Sequence, residues 1–140
     1  IVPKPDKLAF GSIVTQGLPF YSGNITYHVP IETTEGELFV NSSQYIGAMQ
    51  EVSLDDNYAV PMIYPPYSEN LGQVDSGSHT VHFTLYGNRF NSFGPVHLAD
   101  EQHEYISPEV WRTSGDKWCY EYQLRRLGIL TTPKITLIKK

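Results

Sequence analysis

The chain has 140 residues, of which 40% are hydrophobic and 18% charged, and this composition suits one globular domain with a single core. Its net charge of −5 comes without any basic stripe, so the composition argues against nucleic acid as a partner. No apolar run approaches the roughly 18 residues that a membrane span needs, which argues against a membrane partner.

The chain begins with Ile1 rather than Met, and Pro3 and Pro5 predict an extended stretch over residues 1–7. We therefore expect residues 1–140 to form a single β-sandwich domain that is a fragment of a longer chain. The single cysteine, Cys119, rules out an internal disulfide bond. It leaves the compartment open between secreted, periplasmic and cytoplasmic.

Apolar residues that alternate with polar ones predict a series of short strands. In chain order these lie at residues 25–31, 38–40, 46–54, 58–64, 80–85, 117–124 and 135–137. Turn signals rich in Gly, Asp and Asn separate them, and this rhythm predicts an all-β fold, an antiparallel β-sandwich of the jelly-roll type. In the strand at 117–124, the rings of Trp118, Tyr120 and Tyr122 are expected to face the core.

At most one short helix is expected, and it begins near Ser107. Ser107 suits the N-cap, Pro108 the first helical position, and Glu109 the first turn, where a negative charge is favourable. No window of about 11 residues shows a sustained helical period. We therefore expect no other helix.

The most irregular region spans residues 87–116, and long loops on a rigid sandwich are where function usually lies. Its polar and aromatic residues are the candidates for a carbohydrate site or a domain interface: Asn88, Arg89, Asn91, Tyr105, Trp111, Arg112 and Asp116. Two roles remain open. In one, Arg89 and Arg112 brace the loop through Asp116 or Glu109, and we favour this role. In the other, Asn88 and Arg112 donate hydrogen bonds to a sugar stacked on Trp111.

A metal centre is not predicted. His97, Glu101, His103 and Glu104 are close in sequence, but their spacing matches no known metal motif. His79 and His82 are three apart on a strand, so they point to opposite faces and cannot share an ion. The exception is a structural calcium ion, because turn residues offer oxygen ligands. These residues are Asp55, Asp56, Asn57 and Asp75.

Catalytic residues are not predicted either. The sequence has no nucleophile elbow, and Cys119 lies on a predicted strand, where cysteine is usually an inert packed residue. Glycoside hydrolysis needs two positioned carboxyl groups, and nothing selects such a pair among the many acidic residues. Whether the segment is an enzyme is therefore left uncertain, with a non-catalytic role preferred.

Several stretches resemble the C-terminal β-sandwich of large bacterial glycoside hydrolases. The most specific are Tyr-Gly-Asn-Arg-Phe-Asn at 86–91 and Trp-Arg-Thr-Ser-Gly-Asp at 111–116, and residues 16–27 and 128–130 extend the likeness. Residues 45–67, followed by a Gly-Ser-His strand start, are similar to the sugar-binding, galactose-binding-like jelly roll of glycoside hydrolase family 2. One departure is Asp56-Asn57, where such domains often carry Gly.

The resemblance implies a non-catalytic accessory domain that supports a catalytic domain of the same chain or its carbohydrate substrate. Two alternatives stay open, an autonomous carbohydrate-binding module and a small carbohydrate-active enzyme. The expected partners are the catalytic domain and a glycan. A broad apolar, arginine-rich patch would favour domain docking, whereas a narrow groove with one or two exposed rings would favour glycan binding.

Overall fold

The computed structural model describes residues 5–99, 108–111 and 114–139. In this part of the chain the regular structure is almost entirely strand, in the order β1 (Ile25–Thr33), β2 (Gly36–Asn41), β3 (Tyr45–Ile46), β4 (Met49–Leu54), β5 (Val60–Pro61), β6 (Ser68–Val74), β7 (Gly77–Tyr86), β8 (Gly128–Ile129) and β9 (Lys134–Ile138). A four-stranded sheet has the order β1-β7-β4-β5, a three-stranded sheet β6-β2-β9, and a two-stranded sheet β3-β8. Every pairing is antiparallel, and the predicted all-β sandwich is confirmed.

The sandwich follows from period-two burial along the strands. In β7, Val81, Phe83 and Leu85 are buried while the residues between them are only partly so. In β2 of the other sheet, Leu38 and Val40 are buried in the same manner. All five side chains belong to one apolar cluster, so the inner faces of the two larger sheets share a single core.

The segment before β1 closes this core. Ile13 is fully buried within a 3₁₀ turn, and its N–H donates to the Leu127 carbonyl at 2.8 Å. Gly11 donates in the same way to Ile129 at 2.7 Å. Gly128, which lies between these acceptors, has φ of 141°, and a Cβ there would collide with the Gly11 carbonyl oxygen. Only glycine fits this close approach of two backbones.

Two predicted strands differ in their bounds, and two strands, β6 and β8, were not predicted. The β6 strand was not expected, because its pattern is mostly polar; it lies at the edge of its sheet, and of its residues only Val74 is fully buried. The strand predicted at 46–54 divides into β3 and β4. The strand predicted at 58–64 shrinks to the two residues of β5.

The strand predicted at 117–124 is wrong. These residues form only an isolated bridge, between Trp118 and Leu98, and a 3₁₀ turn over Gly115–Lys117. The stretch is rich in Trp and Tyr, which favour strands as β-branched residues do, so its local pattern matched that of a sheet strand and only the pairing of the folded chain decided otherwise.

The expectation of at most one short helix is confirmed for the described residues, which contain a single short α-helix, but this helix does not lie near Ser107. The helix predicted near Ser107 corresponds to a 3₁₀ turn at Pro108–Trp111, while Ser107 itself lies outside the described residues. A further 3₁₀ turn covers Ile13–Gln16, and the α-helix α1 covers Phe90–Phe93. None of the helices in the described ranges is long and apolar enough to cross a membrane.

Candidate functional site

The described residues between β7 and β8 lie outside the sheets, and we call these residues, 87–99, 108–111 and 114–126, the excursion. Two of its stretches, residues 96–99 and 117–123, run antiparallel to each other and are held together by backbone hydrogen bonds. The Cys119 N–H donates to the His97 carbonyl at 2.8 Å, and the Gln123 N–H donates to the Val96 carbonyl at 2.7 Å. The described part of the excursion is therefore a defined structure even though it contributes no strand to the sheets.

Asn91 ties the beginning of the excursion to its end. The side chain is buried, with 6% exposed, and its Nδ2 donates to the Arg125 carbonyl at 2.7 Å. In return the Arg125 N–H donates to Asn91 Oδ1 at 2.9 Å. A side-chain amide offers one donor and one acceptor side by side, so it can satisfy both backbone groups of one residue. Asn91 is thus an internal brace.

Five rings form a continuous contact series that we call the ring cluster: Phe20, His97, Trp118, Tyr120 and Tyr122. His97 stacks on Trp118 with ring centroids 4.5 Å apart, and it also packs on Tyr122 at 4.8 Å. Phe20 meets Tyr122 edge-on at 5.0 Å, and Tyr120 meets Trp118 edge-on at 6.3 Å. The edge-on and stacked arrangements are those that aromatic pairs prefer.

The ring cluster is exposed rather than buried. Trp118 is 40% exposed, Tyr122 56% and Tyr120 90%, so the expectation that these three rings face the core is wrong. With Phe20, which is 43% exposed, they are the surface residues that the sequence pattern missed. No local signal identifies them as a loop, because Trp and Tyr favour strands and alternate here as they would in one.

His97 is fixed within this cluster by a hydrogen bond. Its Nδ1 lies 2.9 Å from the Cys119 carbonyl oxygen, which can only accept, so Nδ1 carries the proton.

The metal ligands considered from the sequence were His97, Glu101, His103 and Glu104. The last three residues lie outside the described residues. The described side chains contain no group of three or more His, Cys, Asp or Glu residues that could hold a metal ion.

An open groove lies beside α1 and has a volume of about 440 Å³. Its lining consists of Ile46, Asn88, Arg89, Phe90, Phe93, Gly94, Trp111 and Arg125. The Arg125 guanidinium stacks 3.9 Å from the centroid of the Phe90 ring, and the Arg89 guanidinium lies 5.9 Å from that of Phe93. Phe93 and Trp111 are 66% and 53% exposed, so two rings and two cations face this groove.

The two groove arginines form no ion pair with any side chain that the structure describes, and the side chain of Glu109, the other predicted partner, is not among these. The bracing role in which Arg89 pairs with Asp116 is therefore not seen; Asp116 lies exposed in the Gly115–Lys117 turn. Among the described residues, Asn91 supplies the brace that was expected from arginine.

The structure brings together some of the predicted site residues and separates others. Arg112 and Tyr105 lie outside the described residues, as does any pairing that they form. Asn91 is internal, and Asp116 is not among the residues that line the groove. Those that line it are Asn88, Arg89 and Trp111.

Asp55, considered above as a calcium ligand, is engaged within the protein. His79 Nδ1 donates to Asp55 Oδ2 at 2.7 Å, and the Thr80 N–H donates to Oδ1 at 2.7 Å. The hydrogen bond from His79 lowers the pKa of Asp55, and the same bond raises the pKa of His79. His79 Nε2 also lies 3.2 Å from the Asp75 carbonyl oxygen, and since both partners only accept, the imidazolium form satisfies them best.

No protein-family model matches the chain, and no curated protein is significantly similar to it.

Proposed function

We propose that the chain is a non-catalytic accessory β-sandwich domain of a bacterial glycoside hydrolase, and that the ring cluster contacts the catalytic domain of the same chain. The glycoside hydrolase part of the proposal rests on the motif resemblance at 86–91 and 111–116. The docking part rests on the surface of the excursion. A jelly-roll topology of the galactose-binding type belongs to the same proposal.

The exposed ring cluster is the observation that carries the docking role. Aromatic side chains are enriched in interfaces because they bury a large apolar area at a small cost in conformational entropy. Here neighbouring rings already restrain one another, and the backbone bonds between the two stretches of the excursion fix their positions. A surface organised before binding loses little entropy when a partner covers it.

The chemistry of the groove supports binding over hydrolysis. Its described lining offers two guanidinium groups and two exposed rings, and it contains no carboxylate. Hydrolysis of a glycosidic bond uses a pair of carboxyl groups as acid and nucleophile or base. Guanidinium groups stacked on rings are instead typical of recognition surfaces.

A carbohydrate-binding module is the second candidate, and the groove itself favours it. Trp111 and Phe93 provide exposed ring faces, and Asn88 and Arg125 provide polar groups beside them. Sugars bind to proteins through this combination of stacking and planar hydrogen-bonding groups.

Two binding measurements on the purified chain separate the candidates. The first is calorimetric titration with the separately expressed catalytic domain of the parent enzyme, and the second is retention on a glycan array. If docking is right, the double variant Tyr120→Ala/Tyr122→Ala weakens the first interaction by about 2 kcal/mol or more, the loss typical of central aromatic residues in an interface. Tyr58→Ala is the matched control, because Tyr58 is 99% exposed and is no part of the ring cluster.

The outcomes are distinct. Glycan retention that disappears in Trp111→Ala and survives in Tyr120→Ala/Tyr122→Ala supports the binding module and overturns docking. A reading frame with no catalytic domain beside this segment overturns the accessory role altogether.

A further inference from the structure

Two histidines face each other on the outer surface of the four-stranded sheet. His28 of β1 and His82 of β7 are register partners, and their Nδ1 atoms lie 2.7 Å apart. The rings are nearly perpendicular, at 81°, with centroids 4.8 Å apart. Both residues alternate with buried neighbours, so the pair lies on the face directed away from the core.

The contact between the two rings constrains their protons. An Nδ1–Nδ1 hydrogen bond needs one nitrogen that carries hydrogen and one with a free lone pair, so the two rings cannot both be protonated at Nδ1. A lone pair on one imidazole nitrogen is therefore already directed at the space between the rings. Moving the remaining proton from Nδ1 to Nε2 of its ring frees the second lone pair without any change in charge.

The separation of the two nitrogens matches one coordination geometry better than another. With metal–nitrogen bonds of about 2.0 Å, two ligands at 90° are about 2.8 Å apart, whereas two tetrahedral ligands are about 3.3 Å apart. The observed 2.7 Å is close to the first value. Square-planar or tetragonal sites with nitrogen ligands are typical of Cu²⁺ and Ni²⁺.

We propose that His28 and His82 form a two-histidine site for a divalent transition-metal ion, with Cu²⁺ or Ni²⁺ preferred. Both Nδ1 lone pairs coordinate the ion and replace two of its water ligands. Its other positions stay with water. This site is independent of the ring cluster and of the proposed accessory role.

The surroundings of the pair suit such a site. His28 is exposed and lines an open groove of about 830 Å³ between β1 and the segment at 5–10, so an ion can reach it. Ser53 of β4 is the register partner of His82 on the other side. In the neighbouring row, the hydroxyl groups of Thr26 and Thr84 share a hydrogen bond of 3.0 Å, which holds the two strands in register. The net charge of −5 also favours an approaching cation.

The other described histidines are less available. His79 uses both ring nitrogens, for Asp55 and for the Asp75 carbonyl. His97 uses Nδ1 for the Cys119 carbonyl and stacks its ring on Trp118. They therefore provide matched controls for the exposed pair.

The test is a calorimetric titration of Cu²⁺ into the 140-residue chain in a weakly coordinating buffer. We expect one ion per chain, and we expect His28→Ala and His82→Ala each to weaken binding by about tenfold or more. His79→Gln and His97→Gln should bind as the wild type does. Circular dichroism of each variant checks that the sandwich is intact, and His28→Gln provides a second, more conservative change at the same position.

Electron paramagnetic resonance of the copper-loaded chain gives an independent readout. Hyperfine coupling to two imidazole nitrogens is expected in the wild type and to one in His28→Gln. Absence of copper binding, unchanged binding in both His28→Ala and His82→Ala, or an equal loss in His97→Gln would overturn the proposal.

Discussion

The sandwich and the excursion treat aromatic side chains in opposite ways. In the strands, Phe83 and Tyr27 are 1% and 7% exposed and pack in the core. In the excursion, Tyr122 and Tyr120 are 56% and 90% exposed although their sequence alternates as a strand does. Alternation alone therefore does not decide burial. A ring is buried when its backbone pairs within a sheet that another sheet covers.

The difference is one of backbone pairing. Each sandwich strand satisfies its N–H and C=O groups along a ladder, so its side chains are directed alternately to the core and to solvent. In the excursion, backbone N–H and C=O groups are paired by a few backbone hydrogen bonds and by the Asn91 side chain, and these bonds extend over fewer residues than a strand ladder does. The rings that remain outside form an ordered surface, and an ordered apolar surface is typical of a region that meets a partner.

The largest effect should come from a ring in the sandwich. Phe83→Ala removes a fully buried ring and leaves a cavity, so we expect the free energy of unfolding to fall by about 3–5 kcal/mol. Urea denaturation measures it. The matched change in the excursion, Tyr120→Ala, should stay within about 0.5 kcal/mol. Equal losses from the two variants would abolish the distinction between the two regions.

A smaller, more local effect is expected from the brace of the excursion. Asn91→Ala removes both bonds to Arg125 and leaves two partly buried backbone groups without these partners, at a cost of about 1–3 kcal/mol. Hydrogen exchange should then speed up at Cys119 and Gln123, whose N–H groups hold the excursion together, and stay slow in β7.

Asn91→Asp serves as the control for the brace. It keeps the acceptor for the Arg125 N–H but places a second oxygen, which cannot donate, against the Arg125 carbonyl, so exchange should be at least as fast as in Asn91→Ala. Faster exchange throughout β7 in Asn91→Ala would show that the excursion and the sandwich unfold as one unit.

The smallest expected effect is a pH dependence of stability. It comes from the Asp55–His79 pair of the sandwich and should leave the excursion unchanged. The hydrogen bond with Asp55 raises the pKa of His79 above 6.5. The contribution of His79 to the free energy of unfolding is therefore complete below that pH, and it is lost as the pH rises through the pKa of His79 in the folded state. The pKa of Asp55 is lowered from 3.8. The contribution of Asp55 to the free energy of unfolding is therefore complete above that pH, and it is lost as the pH falls through the pKa of Asp55 in the folded state. The pair should stabilise most between these two values.

The measurement compares unfolding of the wild type and His79→Gln across this pH range. The difference in stability should be largest near pH 5 and should shrink toward higher pH, while hydrogen exchange in the excursion stays the same. A difference that does not vary with pH would mean that the Asp55–His79 contact is not an ionic one.

Much of the fold was predictable because it depends on local pattern. The alternation over β1 and β7 identified both strands, and the turn signal at 75–77 identified the turn that connects β6 of one sheet to β7 of the other. β6 was not predictable, because an edge strand buries few side chains and so carries little pattern. The candidate site was predictable in part: Asn88, Arg89 and Trp111 do meet at the groove, while the ring cluster was assigned to the core.

The sequence by itself determined the class of fold, the interruption of the strand pattern after β7, and the outward direction of His82 relative to His79. These properties depend on the period of two along a single strand. Only the tertiary structure decided which strand lies beside which, and with it the pairing of His28 with His82 and of Asn91 with Arg125. Partners 54 and 34 residues apart are set by the register of sheets and by packing of the whole chain, which no local pattern encodes.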